Sequence, residues 1–128
     1  MASELRVDTL KDSSGNNSVG MAYVAEGSAK AWVNFNGTGT IATRNSLNIS
    51  SLSDAGTGDY DINISSSFTA ADYSINASGY PSASWNQMLQ LQTPSNNTGS
   101  IFSVYSASTS GTLNDTELVC ADAHGDLA

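Results

Sequence analysis

Few side chains in this sequence could perform catalysis. His124 is the single histidine of the chain, and Cys120 is its single cysteine. A Ser-His-Asp or Cys-His arrangement would have to use His124 as its base, with Cys120 or a serine as the nucleophile. The Gly-x-Ser-x-Gly motif of a nucleophile elbow is absent from the sequence. We therefore interpret His124 as an ordinary residue near the end of the last strand and Cys120 as a small core residue, and we predict that the chain is not an enzyme.

Carboxylates suggest metal binding or glycoside hydrolysis as further kinds of chemistry. Asp54, Asp59 and Asp61 surround a glycine-rich turn, and calcium prefers such oxygen-rich loops. Their spacing does not match the calcium loop of an EF-hand, so we interpret them as solvated turn carboxylates. One cysteine and one histidine cannot form a structural zinc site. Asp72, Asp115 and Glu117 have nothing to distinguish them as a hydrolytic pair. We predict no metal site and no cofactor.

Aromatic side chains in predicted loops are better candidates for function. Tyr80 and Trp85 flank Pro81, and Asn86 follows directly. Exposed rings stack on the faces of sugars, and amides can hydrogen-bond sugar hydroxyls. Tyr80, Trp85 and Asn86 are therefore the candidate surface contacts. Packing in the core is the favoured alternative for Trp85, whereas Tyr80 beside a proline is the best candidate for exposure.

Alternation of apolar and polar residues predicts the strands that present these side chains. In the segment 59–65, Tyr60, Ile62 and Ile64 share one face, and polar residues occupy the other. Segment 29–35, around Trp32, suits burial on both faces, and we expect Trp32 in the core. The other predicted strands are 41–49, 73–77, 85–91, 100–107 and 117–123. Since no window shows a convincing helical stripe, the fold class is all-β, an antiparallel β-sandwich of about seven strands with a short N-terminal arm.

The charge balance excludes several classes of partner. Only 12% of the residues are charged, and the formal net charge is −8. This balance argues against nucleic acid, which requires basic patches, and against an anionic membrane surface. It is compatible with a neutral partner such as a glycan. Recurring aromatic and β-branched residues favour a folded chain over a disordered one.

The first 25 residues differ from the remainder of the chain. Leu5, Val7 and Leu10 form a short alternating segment, followed by the turn-rich segment 12–17. Because so short a segment cannot build a core alone, we predict an attachment or trimerisation arm over 1–25 and a knob domain over 26–128. Leu5, Val7 and Leu10 are the candidate residues for attachment to a particle. A plain first strand of the sandwich is the alternative.

Three blocks of sequence, taken in order, resemble the tail-fibre-like proteins of bacteriophages, especially phages of cyanobacteria and marine bacteria. They are 5–19 (LRVDTLKDSSGNNSV), 30–40 continued through 46–60 (KAWVNFNGTGT and SLNISSLSDAGTGDY), and 118–126 (LVCADAHGD). The last strand of those proteins usually ends in an aromatic residue, and His124 stands at that position here. The segment from about residue 79 to residue 115 carries no resemblance.

The resemblance implies a β-sandwich knob that is mounted on the virion, usually as a homotrimer. The expected function is that of a non-enzymatic virion structural protein, a tail-fibre or receptor-binding knob that contacts the host surface through a glycan. Its expected partners are other tail or capsid proteins, reached through the arm, with no nucleic acid and no membrane insertion. The alternative is a capsid decoration knob, either cement or head fibre, bound to the shell by the same arm. In both cases the protein is expected in the virion, after assembly in the host cytoplasm.

Overall fold

Two four-stranded antiparallel sheets form the body of the protein in a computed structural model that describes residues 3–80, 87–91 and 97–128. The sandwich strands are β3 (Ala31–Asn36), β4 (Ala42–Leu47), β5 (Ile49–Gly56), β6 (Asp59–Ile64), β7 (Ser74–Tyr80), β8 (Gln87–Leu91), β9 (Ile101–Ser108) and β10 (Leu118–His124). The first sheet has the order β4-β3-β10-β7 and the second the order β5-β6-β9-β8. The predicted all-β sandwich is confirmed, with eight strands in its two sheets.

The core lies between the inner faces of the two sheets, where apolar residues alternate with polar ones as predicted. Tyr60, Ile62 and Ile64 of β6 are buried, while the residues between them are only partly covered. The central strands of both sheets supply the rest of the main cluster: Ala31, Val33, Phe35, Phe102, Val104, Val119, Ala121 and Ala123, together with Phe68 from a bend before β7. The period of two therefore identifies the buried face of each central strand.

Trp32 and Cys120 do not belong to this core, and both expectations were wrong. Ala31, Val33 and Phe35 face the second sheet, so Trp32 between them lies on the outer, half-buried face of β3. Cys120 alternates in the same way with buried Val119 and Ala121. Successive strand residues point to opposite faces of a sheet. A strand cannot bury both sets of side chains when only one of its faces is covered.

Strand β5 and helix α1 were among the elements that were not predicted. Strand β5 is an edge strand rich in serine, and its pairing with β6 shifts register near each end, so no clean alternation marks it. Helix α1 (Met21–Gly27) has no buried residue. A helix shows an amphipathic stripe when it packs one face against a core. Because α1 packs no face against the core, its sequence carries no such stripe.

The turn after β3 depends on Gly37 for a close approach rather than for a positive φ. Gly37 is buried, and a Cβ atom there would lie 2.5 Å from the Tyr60 hydroxyl and 2.9 Å from the Thr116 carbonyl oxygen. The Tyr60 hydroxyl donates to the Gly37 carbonyl (3.1 Å) and accepts from the Thr116 amide (3.0 Å). Burial raises the pKa of Tyr60. This hydroxyl joins the two sheets at one end of the sandwich.

Tyr73 closes the opposite end of the core. Its ring stacks on Phe68 with a centroid distance of 4.1 Å and meets Phe102 edge-on. Its hydroxyl donates to the carbonyls of Thr98 (2.8 Å) and Ile101 (2.9 Å). Burial raises the pKa of Tyr73 to about 12, well above the ordinary value of about 10. The folded state therefore favours the neutral phenol.

The raised pKa of Tyr73 predicts a loss of stability in alkali. A group whose pKa is higher in the folded state contributes stability that is complete below the unfolded value, here about pH 10, and is lost as pH rises toward the folded value. Tyr73→Phe keeps the ring but removes the titration and the two hydrogen bonds. The stability advantage of wild type over Tyr73→Phe is expected to shrink between pH 10 and 12 in urea unfolding. Parallel pH profiles for the two proteins would contradict this expectation.

Candidate functional site

The sandwich has two ends, and its functional candidates divide between them. Because neighbouring strands are antiparallel, turns alternate between the ends. The end where β3 begins and β10 finishes is called the proximal end. The end where β3 finishes and β10 begins is called the distal end. The strand termini at the distal end are Asn36, Ala42, Gly56, Asp59, Tyr80, Gln87, Ser108 and Leu118, and those at the proximal end are Ala31, Leu47, Ile49, Ile64, Ser74, Leu91, Ile101 and His124.

Hydrogen bonds within and between the sheets hold each end of the sandwich together. At the distal end, the Gly37 amide donates to Thr116 O beside the first sheet, and the Gly58 amide of the second sheet donates to Asp115 Oδ1 at 2.7 Å, just before β10. At the proximal end, the Ile64 amide donates to Ser100 O within the second sheet, and the Thr69 amide donates to Asp126 O, which ties the segment after β6 to the segment after β10. The backbone at both ends is therefore fixed, so a side chain that it carries has a defined position.

The arm joins the sandwich at the proximal end. The Lys30 amide donates to the carbonyl of Ala123, the last buried residue of β10. Before this point the chain forms a two-stranded hairpin of β1 (Thr9–Lys11) and β2 (Ser18–Gly20), followed by α1. We refer to residues 3–28 as the arm, since α1 spans the predicted boundary between residues 25 and 26.

None of the residues 3–28 is buried. Of the candidate attachment residues, Leu5 is 78% exposed, and Val7 and Leu10 are also exposed. Leu10 pairs with Val19 across the hairpin, where both line a solvent-open groove of about 300 Å³. The arm carries five of the ten exposed large hydrophobic side chains in the described part of the chain. It therefore displays an apolar surface that the sandwich does not cover.

Val19 and Tyr23 belong to this apolar surface and were not predicted. Val19 lies between Ser18 and Gly20, and Tyr23 lies on a helix with no apolar stripe, so neither shows a pattern. The predicted turn is present at Asp12, whose Oδ1 accepts from the Asn16 amide (3.0 Å) and whose Oδ2 accepts from Asn17 Nδ2 (2.7 Å). The bond from the Asn17 side chain lowers the pKa of Asp12. This turn sets the register in which Leu10 faces Val19.

Tyr80 lies at the distal end, where β7 finishes opposite Leu118. Its side chain is 47% exposed. The strand β7 runs from Ser74 at the proximal end, so the two ends are about 20 Å apart, at about 3.3 Å per residue. Trp85 and Asn86, the other candidate contacts, lie outside the described residues.

The remaining candidates for chemistry are dispersed. Cys120 and His124 share the outer face of β10 but are four residues apart, which is about 13 Å and too far for a Cys-His pair. The Cys120 sulfur accepts from Asn34 Nδ2 at 3.3 Å. The carboxylate of Asp54 accepts from the Gly56 amide, and that of Asp61 accepts from the Ser103 hydroxyl. Within residues 3–80, 87–91 and 97–128, no three metal-ligating side chains form a cluster.

Fold and surfaces together define a β-sandwich domain with an exposed apolar arm at one end and an exposed tyrosine at the other. In the part of the chain that the structure describes, no helix is long and apolar enough to span a membrane. Comparison of the chain with protein-family models, with curated proteins and with solved structures returned no match.

Proposed function

We propose that this chain is a non-enzymatic structural protein of a bacteriophage particle, a trimeric tail-fibre-like knob that contacts the host surface. The observation that carries the proposal is the separation of two surfaces. The apolar arm leaves the sandwich at the proximal end, and Tyr80 lies about 20 Å away at the distal end. A knob held by one end and contacting its target with the other has this arrangement.

The arm supports the attachment half of the proposal. Its strands have three residues each, and its helix has seven. A lone two-stranded hairpin is marginal in water, and burial of apolar area is what stabilises such a piece. Leu5, Leu10 and Tyr23 would gain most of that burial on another protein. We infer that the arm is ordered and buried in the assembled particle, against a virion protein or against arms of other copies.

The distal end supports the recognition half. A tyrosine offers a flat apolar ring for a sugar and a hydroxyl for hydrogen bonds. Asp54, Asp59, Asp115 and Glu117 lie near this end, so the end is acidic. A neutral glycan suits this surface better than an anionic one. Three copies in a trimer would also raise a weak affinity for each site by avidity.

Substitution of Tyr80 tests the recognition surface. Tyr80→Ala is expected to weaken binding to host-envelope polysaccharide about tenfold or more, as for an aromatic residue central to an interface. Tyr23→Ala removes a tyrosine that is 78% exposed on the arm, and it is expected to leave this binding unchanged. Surface plasmon resonance on immobilised polysaccharide measures both, and near-ultraviolet circular dichroism checks the fold. Unaltered binding by Tyr80→Ala, or an equal loss in Tyr23→Ala, would contradict the assignment.

The same arm could attach a decoration knob to a capsid shell, and the exposed Leu5 and Leu10 favour that function equally. Its mechanism differs, because a shell knob needs no glycan affinity. The location of the protein on the particle separates these two functions.

A further inference from the structure

The imidazole of His124 bridges the arm and the sandwich. Its Nε2 lies 2.8 Å from Asp122 Oδ2, on the same strand. Its Nδ1 lies 3.2 Å from the carbonyl oxygen of Gly27, the last residue of α1. In the described part of the chain, no other hydrogen bond joins the arm to a strand of either sheet. The arm is otherwise held by the covalent connection through residues 29 and 30.

Both partners of the ring are acceptors. A backbone carbonyl and an ionised carboxylate have no proton to donate. A neutral imidazole carries one N–H and can therefore satisfy only one of the two contacts. The doubly protonated ring donates from both nitrogens, and it is the form that satisfies Gly27 and Asp122 together.

The acceptor on the sandwich side is itself held in place. Asp122 Oδ2 also accepts from Asn76 Nδ2 of β7 at 3.2 Å. This second bond fixes the carboxylate on the outer face of the first sheet, where it receives the imidazole. When the doubly protonated imidazole loses one proton, Asp122 therefore stays in place. The arm, which carries Gly27, is the part that can move.

The segments that meet at the proximal end carry further charged residues. They are Glu26 of α1, Lys30 before β3, Asp72 before β7 and Asp126 after β10, while the β7 residue paired with His124 is the uncharged Ser74. As classes, carboxylates and amines do not change charge between pH 5 and 8, whereas imidazoles do. A change in the arm within that window would therefore report on the imidazole.

We propose that His124 is a pH-sensitive latch, which holds the arm against the knob when its ring is doubly protonated and releases the arm when the ring is neutral. A carboxylate is a stronger acceptor than a backbone carbonyl, and Asp122 is also the nearer partner, so the neutral ring keeps its single proton on Nε2. An unprotonated Nδ1 then faces the Gly27 carbonyl, and the two lone pairs repel. Release frees α1 and the hairpin to reorient about residues 28–30. The latch controls the orientation of the arm relative to the sandwich, whatever the arm binds. This inference therefore does not rest on the proposed function.

Nuclear magnetic resonance on the full chain tests the latch directly, because the chain has a single histidine. Long-range ¹H–¹⁵N spectra of the ring give its protonation state, and heteronuclear NOEs of residues 21–28 give the order of α1 on the nanosecond scale. In a series from pH 5 to 8, we expect an ordered α1 wherever the spectra show a doubly protonated ring. Wherever they show a neutral ring, we expect a loss of NOE intensity confined to the arm, with the sandwich unchanged.

Two variants separate the latch from a general effect of pH. His124→Phe keeps an aromatic ring without hydrogen bonds, and at every pH its arm is expected to match that of wild type with a neutral ring. Asp122→Asn keeps the shape and an acceptor but removes the charge, so the midpoint of arm release is expected to move to lower pH. The latch is overturned by arm NOEs that do not follow the protonation of the ring, or by an unaltered pH response in either variant.

Discussion

Phe35→Ala is expected to lower the free energy of unfolding by about 3–5 kcal/mol, the range for truncating a large aromatic residue in a core. Phe35 is 0% exposed at the centre of the first sheet. Its ring meets Tyr60 of the second sheet edge to face, with centroids 5.3 Å apart. The substitution removes both the apolar burial and this ring contact, and it leaves a cavity between the sheets. Urea unfolding followed by far-ultraviolet circular dichroism measures the change, because this signal does not depend on the tryptophan that the control removes.

Trp32→Ala is the matched control, since Trp32 lies on the same strand and has a larger ring. Its side chain is on the outer face, half-buried between its cross-strand neighbours Leu47 and Asp122. Burial of only part of a side chain gives a cost of about 1–2 kcal/mol. The order of the two costs is the decisive result. If Trp32→Ala is as costly as Phe35→Ala, the outer face of the first sheet is covered in solution, and the core is not confined to one face.

Deletion of residues 1–25 is expected to abolish attachment to the particle while leaving the knob folded. The deletion removes Leu5, Leu10 and Tyr23, and no residue in the arm contributes to the buried core. The urea midpoint of the truncated chain should therefore stay close to that of the full chain. Cosedimentation with phage particles that lack this protein measures attachment, and the bound fraction should fall to background.

Point variants refine the deletion. Leu5→Asp places a charge in the apolar surface of the arm, and it should weaken attachment strongly without altering length. Leu113→Asp changes an exposed leucine near the distal end and should attach normally. Failure of the truncated chain to fold would show that the arm belongs to the sandwich. Full attachment by Leu5→Asp or by the truncated chain would show that another surface holds the protein.

The sequence predicts the strands that are buried on one face, for a physical reason. β6 alternates strictly because one of its faces meets the other sheet, and its pattern identifies Tyr60, Ile62 and Ile64. The position of Trp32 was misjudged because hydrophobicity alone does not say which face of a strand is covered. Strand β5 was not predicted because an edge strand buries little apolar surface and therefore needs few apolar residues.

The candidate surfaces depend on contacts between residues far apart in the chain. The position of Tyr80 opposite the arm follows from the register of β7 and β10, which no local pattern reveals. The contact of His124 with Gly27 joins residues 97 positions apart. Gly27 lies in no recognised block, and the block 118–126 identified His124 only as a residue near the end of the last strand. Leu5, Val7 and Leu10 stand out in the sequence because their alternating apolar segment is too short to build a core of its own, and their role in attachment stays a prediction.

The central proposal requires a phage that encodes this chain, and gold-labelled antibodies against the knob, imaged on purified particles of that phage, test it most directly. The proposal expects label on the tail or its appendages, and label that disappears from particles assembled with the arm-deleted protein. Label distributed over the head would instead favour the decoration function. Absence of label from particles, with the protein confined to the lysate, would contradict a structural role in the virion.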